Sequence, residues 1–249
     1  PEKVNGRRKE SMPMLQTLQA AVPNSWLSVL LAAVASYLLG SISSAVIVSR
    51  CLYREDVREK GSGNAGATNI LRNYGAKAAV FTTLGDLAKS IVAVFIGGWL
   101  LMHLQLTGTP EISEAGLRIV GRYLAGVCCV LGHLYPVYFG FRGGKGVMTS
   151  LGMIIILDWR VALLCLAVFG IVLAISRMVS LSSITAMFAA PFLVYVFTGC
   201  VDHQSPEATW FCTLVIALIS VIVIAKHRSN LVRIFKGTES RISCHKEKK

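Results

Sequence analysis

The chain has 249 residues, 54% of them hydrophobic and only 15% charged, with a mean hydropathy of +0.60. Soluble domains carry roughly 25% charged residues, so this composition excludes a soluble fold, a disordered chain, a coiled coil and a disulfide scaffold, and makes lipid the natural solvent. The 25 Lys+Arg against 13 Asp+Glu leave +12; in a membrane protein such an excess concerns orientation, anionic lipid or anionic substrate rather than nucleic acid.

Residues 1–25 read as an N-terminal extension, poorly ordered or an artefact of the gene start, with Met12 or Met14 as the start of translation. They do not make a signal peptide. Arg7, Arg8 and Lys9 lie well before the apolar run, which at 24 residues is too long for a cleaved one. The apolar runs then follow in order: Trp26–Ser49, Ala78–Leu101, Ile119–Phe139, Val147–Leu157, Val161–Ser176, Met178–Gly199 and Ala208–Ala225. A spanning helix needs about 20 apolar residues, so the expected fold is an all-α integral membrane protein of about seven transmembrane helices, one span short. Strict period-2 alternation is missing, which argues against a β-barrel. Residues 26–239 are expected to form a single membrane domain and 240–249 a basic tail.

Residues 50–77 hold six Lys/Arg and residues 226–249 hold eight, whereas 200–207 hold none. The positive-inside rule places these basic loops and the C-terminus in the cytoplasm and the N-terminus outside. Seven scattered cysteines without a C-x-x-C pair fit neither a disulfide framework nor a zinc site.

Gly61 to Gly66 matches G-x-G-x-x-G with Asp86 twenty residues on, but the run follows a charged loop and Asp86 lies in an apolar span, so dinucleotide binding is rejected. Gly140 to Gly146 resembles a Walker A loop but lacks the Ser/Thr after Lys145. What both runs retain is the capacity of glycine-rich backbone to turn successive N–H groups into an anion-binding nest.

The unusual polar residues fall on the expected cytoplasmic side: Ser62, Asn64, Thr68, Asn69 and Arg72; His133, Arg142 and Lys145; Arg177, Ser180, Ser182 and Ser183; Lys226, His227, Arg228 and Asn230. Such a set, rich in cations and amides and without metal-ligand spacing, suits phosphate-bearing ligands and implies no metal. Asp86 and Lys89 share a helix face at i, i+3 and are either functional or a packing ion pair. His133 is either a general base or a donor to a neighbouring carbonyl, the latter being favoured.

Four stretches, GSGNAGATNILRNYGAKAAV, GHLYPVYFGFRGGKGV, SRMVSLSSI and KHRSNLVRIFKGTE, resemble the motifs of the PlsY family of acyl-phosphate:glycerol-3-phosphate acyltransferases, in order, from about Leu38 to Glu239. The resemblance implies a seven-span bacterial inner-membrane enzyme whose site faces the cytoplasm. It would transfer a fatty acyl group from acyl-phosphate to the 1-hydroxyl of glycerol 3-phosphate, giving lysophosphatidic acid, without a cofactor. Implied partners are glycerol 3-phosphate, acyl-phosphate, membrane lipid and, functionally, the enzyme that makes acyl-phosphate, with no nucleic acid. Carried over by position, the catalytic residues are Ser62, Arg72, Lys145, His227 and Asn230. Substrate binding falls to Gly61, Gly63, Asn64, Thr68, Asn69, Gly143, Gly144, Gly146 and Ser183. Two departures stand out: Gly40-Ser41-Ile42 is followed by Ser43-Ser44-Ala45 instead of Pro or Thr, Phe and Gly, and Lys226-His227 replaces Arg-His.

Acyl-phosphate is a mixed anhydride with a good leaving group, so no protein nucleophile is needed; two anions must be held together by cations and nests. The competing reading is a transporter or binding protein for an organophosphate. A transporter should show internal repeats and a polar path to the outer face, and the sequence has neither.

Overall fold

The structure, a computed structural model, describes residues 26–103 and 114–242. The expected extension, with Met12 and Met14, and the end of the basic tail lie outside the described residues. Every regular element among the described residues is helical: α1 (Trp26–Gly40), α2 (Ser44–Tyr53), α3 (Ala67–Tyr74), α4 (Ala76–His103), α5 (Glu114–Leu134), α6 (Val147–Leu157), α7 (Trp159–Ser176), α8 (Val179–Tyr195), α9 (Pro206–Lys226) and α10 (Arg228–Phe235). Six segments are long and apolar enough to cross a membrane, and α6 is a shorter apolar helix.

The side chains are distributed as a lipid-solvated bundle requires. On α1 the buried positions are Ser28, Ala32, Ser36 and Gly40, every fourth residue and all small, while Leu30, Leu31, Val34 and Leu38 face outward. Lipid tails are as apolar as leucine, so helices associate by close backbone approach instead of by hiding bulky groups. Gly97 of α4 and Gly121 of α5 illustrate this, since a Cβ on either would strike the carbonyl of the other.

Helices α1, α4 and α5 pack as one set and α7, α8 and α9 as another; α6 touches α4, α5 and α7 and joins the two. The shared core runs from Val94 and Val130 through Met153 and Ile154 to Met187, Ile216 and Val223. With 11 residues, α6 is about 16 Å long, roughly half the hydrocarbon thickness. Its C-terminal Asp158 is fixed at one end of the bundle, where Arg160 pairs with both Asp158 (2.7 Å) and Asp202 (2.6 Å) beside the start of α9. The glycine-rich loop at the other end of α6 is therefore drawn inward against the bundle.

One expectation is corrected. The first apolar run is not a single helix over Trp26–Ser49; it breaks at residues 41–43 and resumes as α2. The break follows Gly40, whose backbone lies against Cys129. Tertiary partners meet the chain there: Ser41 Oγ accepts from Val137 N (3.3 Å), and the Ile42 carbonyl accepts from Lys89 Nζ (2.7 Å).

Candidate active site

The starts of α3, α6 and α8, the ends of α5 and α9, and the short α10 converge on a cavity of about 140 Å³. Its wall includes Ser62, Asn64, Thr68, Asn69, Arg72, Lys145, Gly146, Ser183, His227 and Asn230. All five expected catalytic residues thus meet in one place, although they span 168 positions of sequence from Ser62 to Asn230. Four expected glycines, Gly61, Gly63, Gly143 and Gly144, are absent from the wall and shape the loops behind it. A larger cavity of about 430 Å³ lies at the opposite end, around Tyr123, Ile154, Cys212 and the Asp158–Arg160–Asp202 network, and shares no residue with the first.

The first loop is built around Asn69, which is buried. Its Oδ1 accepts from Ser62 N (3.1 Å), and its Nδ2 lies against the carbonyls of Val57 (3.1 Å), Lys60 (3.0 Å) and Asn64 (3.1 Å). The side chain is thereby occupied in shaping the loop that presents Ser62 and Asn64. Arg72, on the last turn of α3, has no carboxylate within ion-pair distance among the described residues.

The second loop is threaded between His133 and the first. Gly144 N donates to the His133 carbonyl (3.1 Å), and a Cβ on Gly144 would stand 2.7 Å from the Ala65 carbonyl and overlap His133 Nε2. Only glycine permits that approach. Gly146, with φ +88°, then turns the chain into α6. Arg58 ties the two loops together, its guanidinium paired with Asp56 (2.9 and 2.7 Å) and donating to the Phe139 carbonyl (2.6 Å).

Lys145 projects from this loop and donates to Asn230 Oδ1. Asn230 Nδ2 donates to Glu239 Oε1 (2.8 Å), which also accepts from Ser180 Oγ (2.7 Å), while Arg233 Nε reaches Glu239 Oε2 (2.7 Å). Burial alone would raise the Glu239 carboxyl, but the bonds from Ser180, Asn230 and Arg233 hold it below the ordinary range. Burial pulls Lys145 down to about 8, a shift opposed by Glu239 and reinforced by Arg233 and Arg72. Ser183 Oγ bonds back to the Val179 carbonyl (2.8 Å) and lines the wall.

His227 closes α9. Its Nδ1 lies 2.8 Å from the Val223 carbonyl; a carbonyl only accepts, so the proton sits on Nδ1 and Nε2 keeps a free lone pair. Burial lowers this imidazole to about 4, against the opposing Val223 bond. It is therefore neutral near pH 7 and can accept a proton, weakly.

Beneath the loops, Lys89 Nζ lies 2.8 Å from Asp86 Oδ1 and 2.9 Å from His133 Nδ1, and all three residues are buried. Here the ion pair also holds the broken first helix through Ile42, so its packing role is plain. Sequence reasoning missed Glu239, Arg233 and Arg58 as site residues. Glu239 stood in a quoted motif, and its signal was an acid within an otherwise basic tail.

The model of the glycerol-3-phosphate acyltransferase family matches residues 30–237. The glycerol-3-phosphate acyltransferase of Clostridioides difficile (strain 630) is 39% identical over 227 residues, which cover 88% of this chain and 98% of that protein. The namesake from Bordetella pertussis (strain Tohama I) is 41% identical over 214 residues, covering 86% and 91%. The fold is similar to the crystal structure of PlsY (YgiH), an integral membrane glycerol 3-phosphate acyltransferase, in its glycerol 3-phosphate form, with a TM-score of 0.70 at 31% identity over 87% of this chain and 96% of that one. The lysophosphatidic acid form gives 0.69 at 30% identity. Identity at this level over nearly the whole length, joined to a matching helical bundle, shows that the chain is an integral membrane acyltransferase and belongs to the glycerol-3-phosphate acyltransferase (PlsY) family.

Proposed function

We propose that the protein transfers a fatty acyl group from acyl-phosphate to the 1-hydroxyl of glycerol 3-phosphate, releasing inorganic phosphate and lysophosphatidic acid. The observation that carries this reading is the charge of the cavity. Arg72 and Lys145 both face it, and its one carboxylate outside the Asp86–Lys89 pair, Glu239, is already engaged by Arg233, Asn230 and Ser180. Two positive charges without matching acids make a place for phosphate, and two phosphate-bearing substrates would each use one.

In this reading Lys145 and the Gly146–Met148 backbone at the start of α6 hold one phosphate, with Gly143 and Gly144 shaping the loop behind it, and Arg72 with Ser62, Asn64 and Thr68 orients the other. Asn69 acts by shaping its loop. The glycerol 1-oxygen attacks the acyl carbonyl, the carbonyl–phosphate bond breaks, and the hydroxyl proton passes to a phosphate oxygen or to His227 Nε2. Met148, Phe169 and Val179 give the cavity an apolar side, which suits the first carbons of a chain entering laterally from lipid.

In this reading the site faces the cytoplasm of a bacterial inner membrane, with the C-terminus on the same side, an orientation supported by the basic loops through the positive-inside rule. Residues 26–239 act as one domain. Purified protein given glycerol 3-phosphate and palmitoyl-phosphate should yield lysophosphatidic acid, and with palmitoyl-CoA as donor it should yield none. Turnover with palmitoyl-CoA alone would refute the donor assignment. Transport without product would favour the organophosphate carrier.

A further inference from the structure

The two histidines of the site are held in opposite tautomers. His227 gives its Nδ1 proton to a carbonyl. His133 receives at Nδ1, because the group 2.9 Å away is the Lys89 ammonium, which carries only donors and is matched by Asp86 at 2.8 Å. The proton of His133 therefore sits on Nε2. That edge of the ring faces Gly144, the ring forms part of the cavity wall, and nothing among the described residues accepts from Nε2. This N–H belongs to a buried ring, opens on the cavity past Gly144, which has no side chain to cover it, and has no partner among the described residues, so it is free for an acceptor from the ligand.

We infer that His133 is a fixed hydrogen-bond donor of the active site, its Nε2–H directed at a phosphoryl oxygen held against the Gly143–Lys145 loop, with Asp86 and Lys89 as positioning residues that keep the proton on that nitrogen. The inference rests on the reading of this cavity as a phosphate site. The groups acting on the ring are Asp86 and Lys89 from α4 and Lys226 from the end of α9. Asp86 Oδ1 lies 3.5 Å from Nδ1 and would accept a hydrogen bond from an Nδ1–H if Lys89 were removed. A neutral ring would then be Nδ1–H, with its lone pair turned on the phosphate. The same ion pair that fastens α4 to the broken first helix thus also sets the polarity of the site, and His133 is barred from serving as a base.

The test combines nitrogen NMR of histidine-labelled protein with kinetics and glycerol 3-phosphate calorimetry of His133→Phe, His133→Gln and Lys89→Met. One histidine should show a neutral ring protonated on Nε2. His133→Phe should weaken phosphate-substrate binding and kcat/KM by about tenfold to a hundredfold, the range of one charge-assisted hydrogen bond, measured below its unfolding temperature, which drops because Lys89 Nζ loses an acceptor. His133→Gln, which keeps a donor near Nε2, should recover most of the loss. Lys89→Met should move the proton of the His133 ring to Nδ1, where Asp86 accepts it, and turnover should fall with it. An Nδ1–H tautomer at His133, identified by the signal that His133→Gln removes, an active His133→Phe, or no recovery by Gln overturns the inference. Wild-type protein that binds glycerol 3-phosphate but gives no product from palmitoyl-phosphate refutes the acyl-phosphate reading instead, and leaves the spectra and calorimetry to decide on His133.

Discussion

Replacing Lys145 by methionine separates binding from folding. Burial takes the ammonium from its ordinary 10.5 down to about 8. Each unit is worth about 1.4 kcal/mol, so folding around the charged lysine costs about 3 kcal/mol near neutral pH. Methionine keeps the stem and removes the charge, although Asn230 Oδ1 then loses its donor, which returns about 1–2 kcal/mol of that gain. Ligand-free Lys145→Met should therefore unfold higher than wild type, by about 2–6 °C for a domain of this size. It should also lose most phosphate-substrate turnover. The pH dependence has a definite sign. Between about 8 and 10.5 the unfolded chain binds the proton that the folded chain has released, so wild-type stability rises with pH across that window, while the variant stays flat. Activity runs the other way. The charged form is the binding form, so kcat/KM of wild type should fall as pH rises above about 8. Thermal shift with and without glycerol 3-phosphate, together with initial rates from pH 6 to 10, reads all of this. A variant with full turnover, or one that unfolds below wild type without ligand, would sink the assignment.

Glu239→Gln keeps the shape but exchanges charge-assisted bonds to Asn230 and Ser180 for neutral ones, a loss of about 1 kcal/mol each; Arg233 is half-exposed and adds little. A stability drop of about 2 kcal/mol should accompany a kcat/KM loss of about tenfold or more, measured by denaturation and initial rates. His227, held at about 4, should leave the activity profile without a step near pH 6.5, and the stability it contributes should be lost as pH falls from about 6.5 towards 4, because the unfolded ring takes up a proton first. His227→Gln that keeps activity and profile would make this residue an orienter instead of the base. Gly144→Ala forces a Cβ to 2.7 Å from the Ala65 carbonyl, so activity should fall at least a hundredfold while helix content by circular dichroism is unchanged; an active variant would show that the loop can yield.

The apolar runs carried most of the fold because charge exclusion from lipid is severe enough to read residue by residue. Six of the seven expected segments appear with ends shifted by a few residues. The first run could not be read in full. Gly40-Ser41-Ile42-Ser43 contains nothing that forbids a helix, and the contact that marks the break comes from Lys89, 47 positions away, which donates to the Ile42 carbonyl. Site composition was legible for a related reason, since polar groups near lipid are costly and those that remain stand out. What they do to one another was not. Asn69 and Ser62 look alike as candidate ligands, yet Asn69 is occupied by its own loop. Glu239 looks like part of a solvated tail, yet it is buried, and it holds Asn230 and through it Lys145.

The scarcity of charge has a consequence for how such a site is made. A soluble enzyme can surround a phosphate cradle with many compensating acids and water. Here the described residues around the cavity hold two buried acids, Asp86 and Glu239, and each does double work. Asp86 neutralises Lys89, so that one ammonium can close a helix break and fix the His133 tautomer. Glu239 is engaged by Arg233 and aligns Asn230, so that Lys145 has a neutral oxygen to lean on and keeps its charge for the substrate. Were either acid placed against Arg72 or Lys145 directly, the pair would be more stable and the phosphate would have to displace it. Leaving Lys145 unmatched costs folding energy, and the arriving phosphate makes it good, while Arg72 at the exposed rim waits at no such cost.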